Sequence, residues 1–262
     1  MSSSNLVAIT NTPSPLLYLG VRTFADEAAV EYAIALREHE QYRDALRRCG
    51  CRVVSLDVNR DHPDSVFVED TALVLDEIAI MMSPGAASRR DEPRAIEPTL
   101  REYRHVVRVE PPAMIDGGDI VRHGRRLYAG GSQRTNPAGI SALSALSREY
   151  GYEVTSIPVF GCLHLKSACS ALPDGRFLVN ADWIDVSPLP SERLLQVPAS
   201  EPWAGDVLVI GERVVVSDAF PETIELLERQ GWEVVPVSVS EFAKVEGGVT
   251  CLSLVFDEHA RA

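Results

Sequence analysis

The feature that most constrains the fold is a repeat of short runs rich in Val, Ile and Leu. Alternation of these residues with polar ones is typical of β-strands with one buried face, and such runs lie at 51–58, 105–112, 152–159, 193–200 and 232–239. Helical periodicity precedes several of them, at 26–48, 92–103, 137–149 and 221–230. Gly50 is predicted to end the first helix, because glycine readily adopts the left-handed conformation of a C-terminal cap.

Between these units the sequence predicts β-hairpins. Pairs of apolar runs flank turn signals at Asp76-Glu77, His123-Gly124, Asp174-Gly175 and Gly211-Glu212, and Asp-Gly is the strongest of these signals. A unit of two strands, usually a helix, and one more strand therefore repeats about four times. A fifth unit forms when strand 6–10, the first helix and the run 51–58 join a C-terminal strand at 250–256.

Such a repeat predicts a closed, pseudo-symmetric α/β arrangement rather than a doubly wound sheet. A doubly wound fold would also need a glycine-rich phosphate turn, and neither G-x-G-x-x-G nor G-x-x-x-x-G-K is present. No low-complexity linker divides the 262 residues. We therefore predict a single domain over residues 1–262.

Charge and composition exclude several classes of partner. The formal net charge is -13, whereas nucleic-acid binding needs a basic face. No segment reaches the roughly 18 apolar residues that span a bilayer, and the N-terminus lacks the pattern of a signal peptide. The five cysteines form no C-x-x-C pair, so we predict free thiols and a cytoplasmic protein.

Two segments carry candidate catalytic side chains. Gly247 and Gly248 precede Cys251, and a diglycine permits a sharp turn that can point the thiol into a cleft; a buried core thiol is the alternative. His164 lies between two leucines, where its pKa shifts easily and it could act as a general acid or base. It could also be structural, or bind a metal with Cys162, although two ligands are too few for a structural zinc site.

Acidic and basic residues supply further candidates. Asp116 could orient a histidine, as in a catalytic triad, or cap its own turn. The apolar run 66–68 is flanked by Asp64, Glu69 and Asp70. Burying these acids is costly unless they are paired, and a cationic ligand would pair them. The alternative is a solvated loop. Arg89 and Arg134 could bind carboxylates in bidentate fashion, although many surface arginines have no such role.

Taken together, these segments resemble the dimethylarginine dimethylaminohydrolases, members of the guanidino-modifying pentein superfamily. The matching stretches are D-S-V-F-V-E-D, P-G-A-x-S-R-R, D-G-G-D, R-T-N, G-C-L-H-L-K-S and G-G-V-T-C-L-S, in the family's order between residues 63 and 253. The resemblance implies a five-bladed α/β propeller of ββαβ modules, which agrees with the repeat. It also implies hydrolysis of methylated arginine to citrulline and methylamine or dimethylamine through a covalent thiouronium on cysteine, without a cofactor or metal.

The resemblance also assigns roles to individual residues. It makes Cys251 the nucleophile, His164 the general acid and base, and Asp116, often Glu in relatives, the residue that orients His164. Glu69 and Asp70 would hold the guanidinium of the substrate. Asp64 would contact its polar end or α-ammonium, and Arg89 and Arg134 would bind its α-carboxylate. Residues 16–28 have no clear counterpart in the family's lid.

Other functions stay open at this stage. The same site could act on free arginine or another ω-substituted guanidine, as a deiminase or an amidinotransferase, or the chain could be a non-catalytic binding protein. The predicted partner is a small guanidino compound, with no nucleic acid and no membrane, bound by a monomer or a homodimer.

Overall fold

The structure is a computed structural model that describes residues 5–24 and 28–259. Its strands are β1 (Leu6–Asn11), β2 (Arg52–Leu56), β3 (Ala72–Val74), β4 (Ile78–Met81), β5 (His105–Arg108), β6 (Ile120–His123), β7 (Arg126–Gly131), β8 (Glu153–Pro158), β9 (Cys169–Ala171), β10 (Phe177–Val179), β11 (Leu194–Gln196), β12 (Leu208–Ile210), β13 (Arg213–Ser217), β14 (Glu233–Val237) and β15 (Leu254–Asp257). Its α-helices are α1 (Tyr32–Arg48), α2 (Glu92–Leu100), α3 (Pro137–Arg148), α4 (Pro221–Arg229) and α5 (Ser240–Ala243).

The four predicted helices are confirmed, and α1 starts later than its periodicity suggested. It begins at Tyr32, because the preceding Glu31 is extended and donates its N–H to the Glu241 carboxylate at 2.8 Å. Residues 26 and 27 of the prediction lie outside the described residues. Gly50 has φ 96° and follows the helix as predicted.

The strands form five three-stranded sheets, each built in the same way. In each sheet the middle strand pairs antiparallel with one neighbour and parallel with the other. The first sheet joins β15, β1 and β2, as predicted; the others are β3–β5, β6–β8, β9–β11 and β12–β14. The fourth sheet has the 3-10 turn Ser191–Arg193 where the others carry a helix. The β6–β7 turn is Gly124-Arg125, one residue later than expected.

The five sheets close into a propeller, as the repeat predicted. Each of five hydrophobic clusters takes its buried side chains from two neighbouring sheets, and the clusters together join every sheet to both of its neighbours. Residues of one outer strand from each sheet, namely β15, β3, β6, β9 and β12, line a shared cavity of about 480 Å³. These five edge strands therefore surround the axis of the molecule, and we call them the inner strands.

The segments that lead into the inner strands meet at one end of this cavity, where hydrogen bonds join them around the axis. Glu69 N donates to Cys251 O at 3.2 Å, Gly118 N to Asp70 Oδ1 at 3.0 Å and Leu165 N to Asp119 Oδ1 at 2.9 Å. Ser170 and Gly205 link the fourth and fifth sheets, and the fifth sheet returns to the first through Thr250 and Asp206. The fold thus brings residues from five distant stretches of sequence to one place.

None of the helices in the described part of the chain is long and apolar enough to cross a membrane.

Candidate active site

Cys251 lies in the turn before β15. The predicted strand at 250–256 begins only at Leu254, so the cysteine does not open the strand as expected. Gly248 N donates to the sulfur at 3.5 Å, and Cys251 is partly exposed whereas the other four cysteines are buried. Burial of the sulfur, with the charges of Asp206, Glu69 and Asp70, raises the pKa of Cys251 well above its usual range.

His164 is buried among carboxylates. It lies in extended backbone before the 3-10 turn Leu165–Ser167, and its Nε2 is 3.0 Å from Asp116 Oδ2 and 3.9 Å from Asp70 Oδ1. Burial favours the neutral ring, but the charge of Asp70 and the hydrogen bond to Asp116 outweigh it and raise the pKa of His164 to about 9. His164 therefore carries a proton at neutral pH.

The carboxylates around His164 are themselves held in place. Asp116 is buried and accepts from Gly85 N at 2.9 Å. Asp70 accepts from Gly118 N and pairs with Arg89. Burial would raise the pKa of Asp70, but the charges of His164 and Arg89 lower it to about 2, so Asp70 stays ionised.

Six of the eight predicted site residues line one small cavity of about 20 Å³: Cys251, His164, Asp70, Asp64, Arg89 and Arg134. Asp116 lies behind His164 as predicted. The cavity has room for about one water molecule, and Val21 and residues 245–247 also line it. Val21 N donates to Asp64 Oδ1 at 3.1 Å, so the segment that contains Val21 is held against the site.

Two of the predicted substrate-binding residues already have partners within the protein. Glu69 faces the axial cavity instead, and it binds Lys166 and the hydroxyl of Thr250. Arg89 lines the site cavity, but its guanidinium already donates to Asp70, Glu92 and two carbonyl oxygens. In contrast, Arg134 Nη1 is buried without a hydrogen-bond partner among the described residues, and it lies 3.6 Å from Asp116 Oδ2.

One residue of the site escaped the sequence analysis. Asp206 lies two residues before β12, is buried, and accepts from Thr250 N at 3.1 Å. No local motif marks it, but it precedes β12 as Asp70 precedes β3 and His164 precedes β9.

One group in the described residues has the spacing of metal ligands. Ligand atoms of Asp70, Asp116 and His164 lie within 4.8 Å of one another. Within this group His164 is hydrogen-bonded to Asp116, while Asp70 pairs with Arg89 and Asp116 accepts from Gly85 N.

The chain is similar to known enzymes over nearly its whole length. A profile of the family described as "N,N dimethylarginine dimethylhydrolase, eukaryotic" matches residues 21–166. The N(G),N(G)-dimethylarginine dimethylaminohydrolase of Streptomyces coelicolor is 40% identical, across 94% of this chain and 95% of that one.

Two solved structures agree with the fold. The dimethylarginine dimethylaminohydrolase of Pseudomonas aeruginosa, solved as a Cys-to-Ser mutant complexed with citrulline, superposes with a TM-score of 0.89 at 32% identity and covers 95% of this chain and 98% of that one. A His-to-Gly mutant of a dimethylarginine dimethylaminohydrolase, solved as an adduct with S-methyl-L-thiocitrulline, gives a TM-score of 0.91 at 32% identity with the same coverage. The agreement in sequence and in fold, over nearly the full length of each relative, shows that the chain belongs to the dimethylarginine dimethylaminohydrolase family.

Proposed function

We propose that this chain hydrolyses Nω-methylated arginine to citrulline and methylamine or dimethylamine, with Cys251 as the nucleophile. The observation that carries the proposal is the shared cavity of Cys251, protonated His164 and ionised Asp70. These supply a sulfur nucleophile, a proton donor and a counter-charge for a guanidinium. The citrulline complex and the thiocitrulline adduct of the two relatives support the same reaction class.

Binding begins with charge. Asp70 is ionised and faces the cavity, so it attracts the guanidinium. We assign the α-ammonium to Asp64, which lines the same cavity. Arg134 has an unused donor for the α-carboxylate. We assign Glu69 to holding Thr250 and Arg89 to holding Asp70, since their hydrogen-bonding groups are occupied within the protein.

The substrate cation also activates the nucleophile. Cys251 is a thiol in the free protein because burial and three carboxylates disfavour its anion. A bound guanidinium adds a positive charge, which favours loss of the thiol proton to solvent. The thiolate then attacks the guanidinium carbon and forms a tetrahedral adduct.

His164 moves the remaining protons. It gives its proton to the departing amine nitrogen, the C–N bond breaks, and a thiouronium remains on Cys251. The neutral ring then takes a proton from a water molecule that attacks the same carbon. The C–S bond breaks and citrulline leaves. Asp116 keeps the ring oriented through both steps by its 3.0 Å hydrogen bond.

We also infer one catalytic domain, because the five hydrophobic clusters connect every sheet to its neighbours. The cytoplasmic location and the monomeric or homodimeric state stay predictions from the sequence.

The experiment is a substrate panel with citrulline as the readout. We expect turnover of dimethylarginine and monomethylarginine without added cofactor, and a much lower kcat/KM for free arginine. Cys251→Ser should abolish turnover, because a hydroxyl is not ionised by the same cation. Cys51→Ser, which changes a buried thiol directly before β2, should retain it. Citrulline formation by the Cys251→Ser protein would refute the proposed nucleophile.

A further inference from the structure

The segments that lead into the inner strands of four sheets each carry a proposed site residue: Cys251 before β15, Asp70 before β3, Asp116 before β6 and His164 before β9. The corresponding segment of the fifth sheet carries Asp206 before β12. We propose that Asp206 is a positioning residue that holds the Gly248–Cys251 turn and keeps Cys251 protonated until a cationic substrate binds. Its importance for turnover rests on the proposed function.

Asp206 contacts the nucleophile turn at two points. Its Oδ1 accepts from Thr250 N at 3.1 Å, directly before Cys251. Its Oδ2 lies against Gly248, where an added Cβ would come within 1.9 Å of that oxygen. Gly248 in turn donates its N–H to the sulfur at 3.5 Å. The carboxylate therefore touches both residues whose backbone positions the thiol.

Asp206 is also a buried acid without a cation of its own. It forms no ion pair within residues 5–24 and 28–259, and Lys166, whose charge lowers the pKa of Asp206, is bonded to Glu69. Burial, helped by the charge of Glu69, raises the pKa of Asp206 to about 7. Above that pH its negative charge disfavours the Cys251 thiolate.

The other groups that face the sulfur do not cancel this charge. Glu69 and Asp70 add further negative charges. Glu69 is paired with Lys166, and Asp70 with Arg89 and His164. The hydroxyl of Tyr42, packed below the turn, donates to Val249 O or Ser253 and is neutral because burial raises its pKa. The missing positive charge is the one that a guanidinium substrate brings. An unliganded protein thus keeps its thiol unreactive toward other electrophiles.

The test compares Asp206→Asn with the natural protein. The amide oxygen of Asn still accepts from Thr250 N, so the turn is kept while the charge is lost. The rate of Cys251 alkylation by iodoacetamide is measured against pH without substrate, and mass spectrometry follows the tryptic peptide that contains Cys251. We expect the midpoint to fall by about one pH unit. Alkylation should then be about tenfold faster between about pH 7, above which Asp206 is charged, and the two midpoints.

Asp218→Asn is the matched control, since Asp218 is exposed on the same pocket wall as Asp206; its alkylation profile should not move. Asp206→Ser gives a second neutral variant if the Asn protein folds poorly. If a folded neutral variant had the same alkylation profile as the natural protein, Asp206 would not set the protonation of Cys251 through its charge.

Positioning is tested by Asp206→Ala, which also removes the acceptor for Thr250. We expect a fall in kcat beyond that of Asp206→Asn with little change in circular dichroism; equal kcat in the two variants would overturn the positioning role. Alkylation does not require turnover. A natural protein that forms no citrulline would therefore refute the proposed function and leave the alkylation result to decide the role of Asp206.

Discussion

His164 Nε2 lies 3.0 Å from Asp116 Oδ2, while the other oxygen of Asp116 accepts from Gly85 N at 2.9 Å. The carboxylate is thus fixed by backbone on one side and fixes the ring on the other. It also helps to raise the pKa of His164 to about 9. The orientation of the ring and its proton at neutral pH therefore depend on one side chain.

Asp116→Asn should lower kcat and shift its pH dependence. The amide keeps the approximate shape but removes the charge, so the pKa of His164 falls. A general acid is active below its pKa, so the alkaline limb of the kcat profile should move to lower pH. We expect kcat to drop by about 10²-fold at pH 8, within the range of general acid catalysis. Exposed Asp182→Asn is the control, and an unmoved alkaline limb in the Asp116 variant would contradict the assignment.

Gly118→Ala should displace the same ring. A Cβ at this position would lie 2.8 Å from both His164 Nδ1 and Asp70 Oδ1, which leaves no room for a methyl group. A shift of about 1 Å can cost roughly 10²-fold in kcat, and we expect a loss of that size. Gly131→Ala serves as the control, because its nearest neighbour would be Ile157 O at 3.8 Å. Equal steady-state kcat values for the two variants would argue against a tightly packed ring.

Much of the fold could be predicted because its strand pairs are close in sequence. Alternating runs and turn residues are local signals, and four hairpins and four helices followed from them. The residue at which the C-terminal strand begins could not be predicted in this way. Thr250 N is bonded to Asp206 and Gly248 N to the Cys251 sulfur, so these residues form a turn instead of extending the strand.

The sequence predicted which residues belong to the site better than it predicted their hydrogen-bond partners. Cys251, His164 and Asp116 stand in short motifs, and the structure brings them together. The partners of Glu69 were not predictable, because Lys166 is 97 positions away and Thr250 is 181 positions away. Asp206 has no motif of its own, and its contact with the nucleophile turn is made through Thr250, which is 44 positions away.

His39 should make the protein less stable in mild acid. It is buried, and burial together with the charge of Arg43 lowers its pKa to about 3. The unfolded chain binds a proton below about pH 6.5, whereas the folded one does not until about pH 3, so the free energy of unfolding falls as the pH drops between these values. Between pH 7 and pH 5 the loss should be about 2 kcal/mol.

Urea unfolding at both pH values would measure this effect in the natural protein and in His39→Leu. The leucine variant should lack this part of the pH dependence, while exposed His105→Leu should keep it. An identical pH dependence in the natural protein and in His39→Leu would show that another group is responsible.

Substitution of Arg134 should weaken substrate binding, whereas substitution of Arg89 should destabilise the fold. Arg134 lines the cavity, and its Nη1 has an ion pair with Asp116 at 3.6 Å but no hydrogen-bond partner among the described residues. Arg89, in contrast, is saturated by protein acceptors. Arg134→Gln should raise KM by about tenfold to hundredfold, the value of a charge-assisted hydrogen bond, with a smaller change in kcat because the α-carboxylate is remote from the reacting carbon.

Arg89→Gln should instead lower the free energy of unfolding by about 3–5 kcal/mol, since Asp70 and Glu92 would lose their buried counter-charge. Exposed Arg90→Gln is the control for both measurements. Steady-state kinetics and urea unfolding of the three proteins separate the two roles. A destabilised Arg134 variant with normal KM, or a stable Arg89 variant with raised KM, would reverse the assignment and make Arg89 the group that binds the substrate carboxylate.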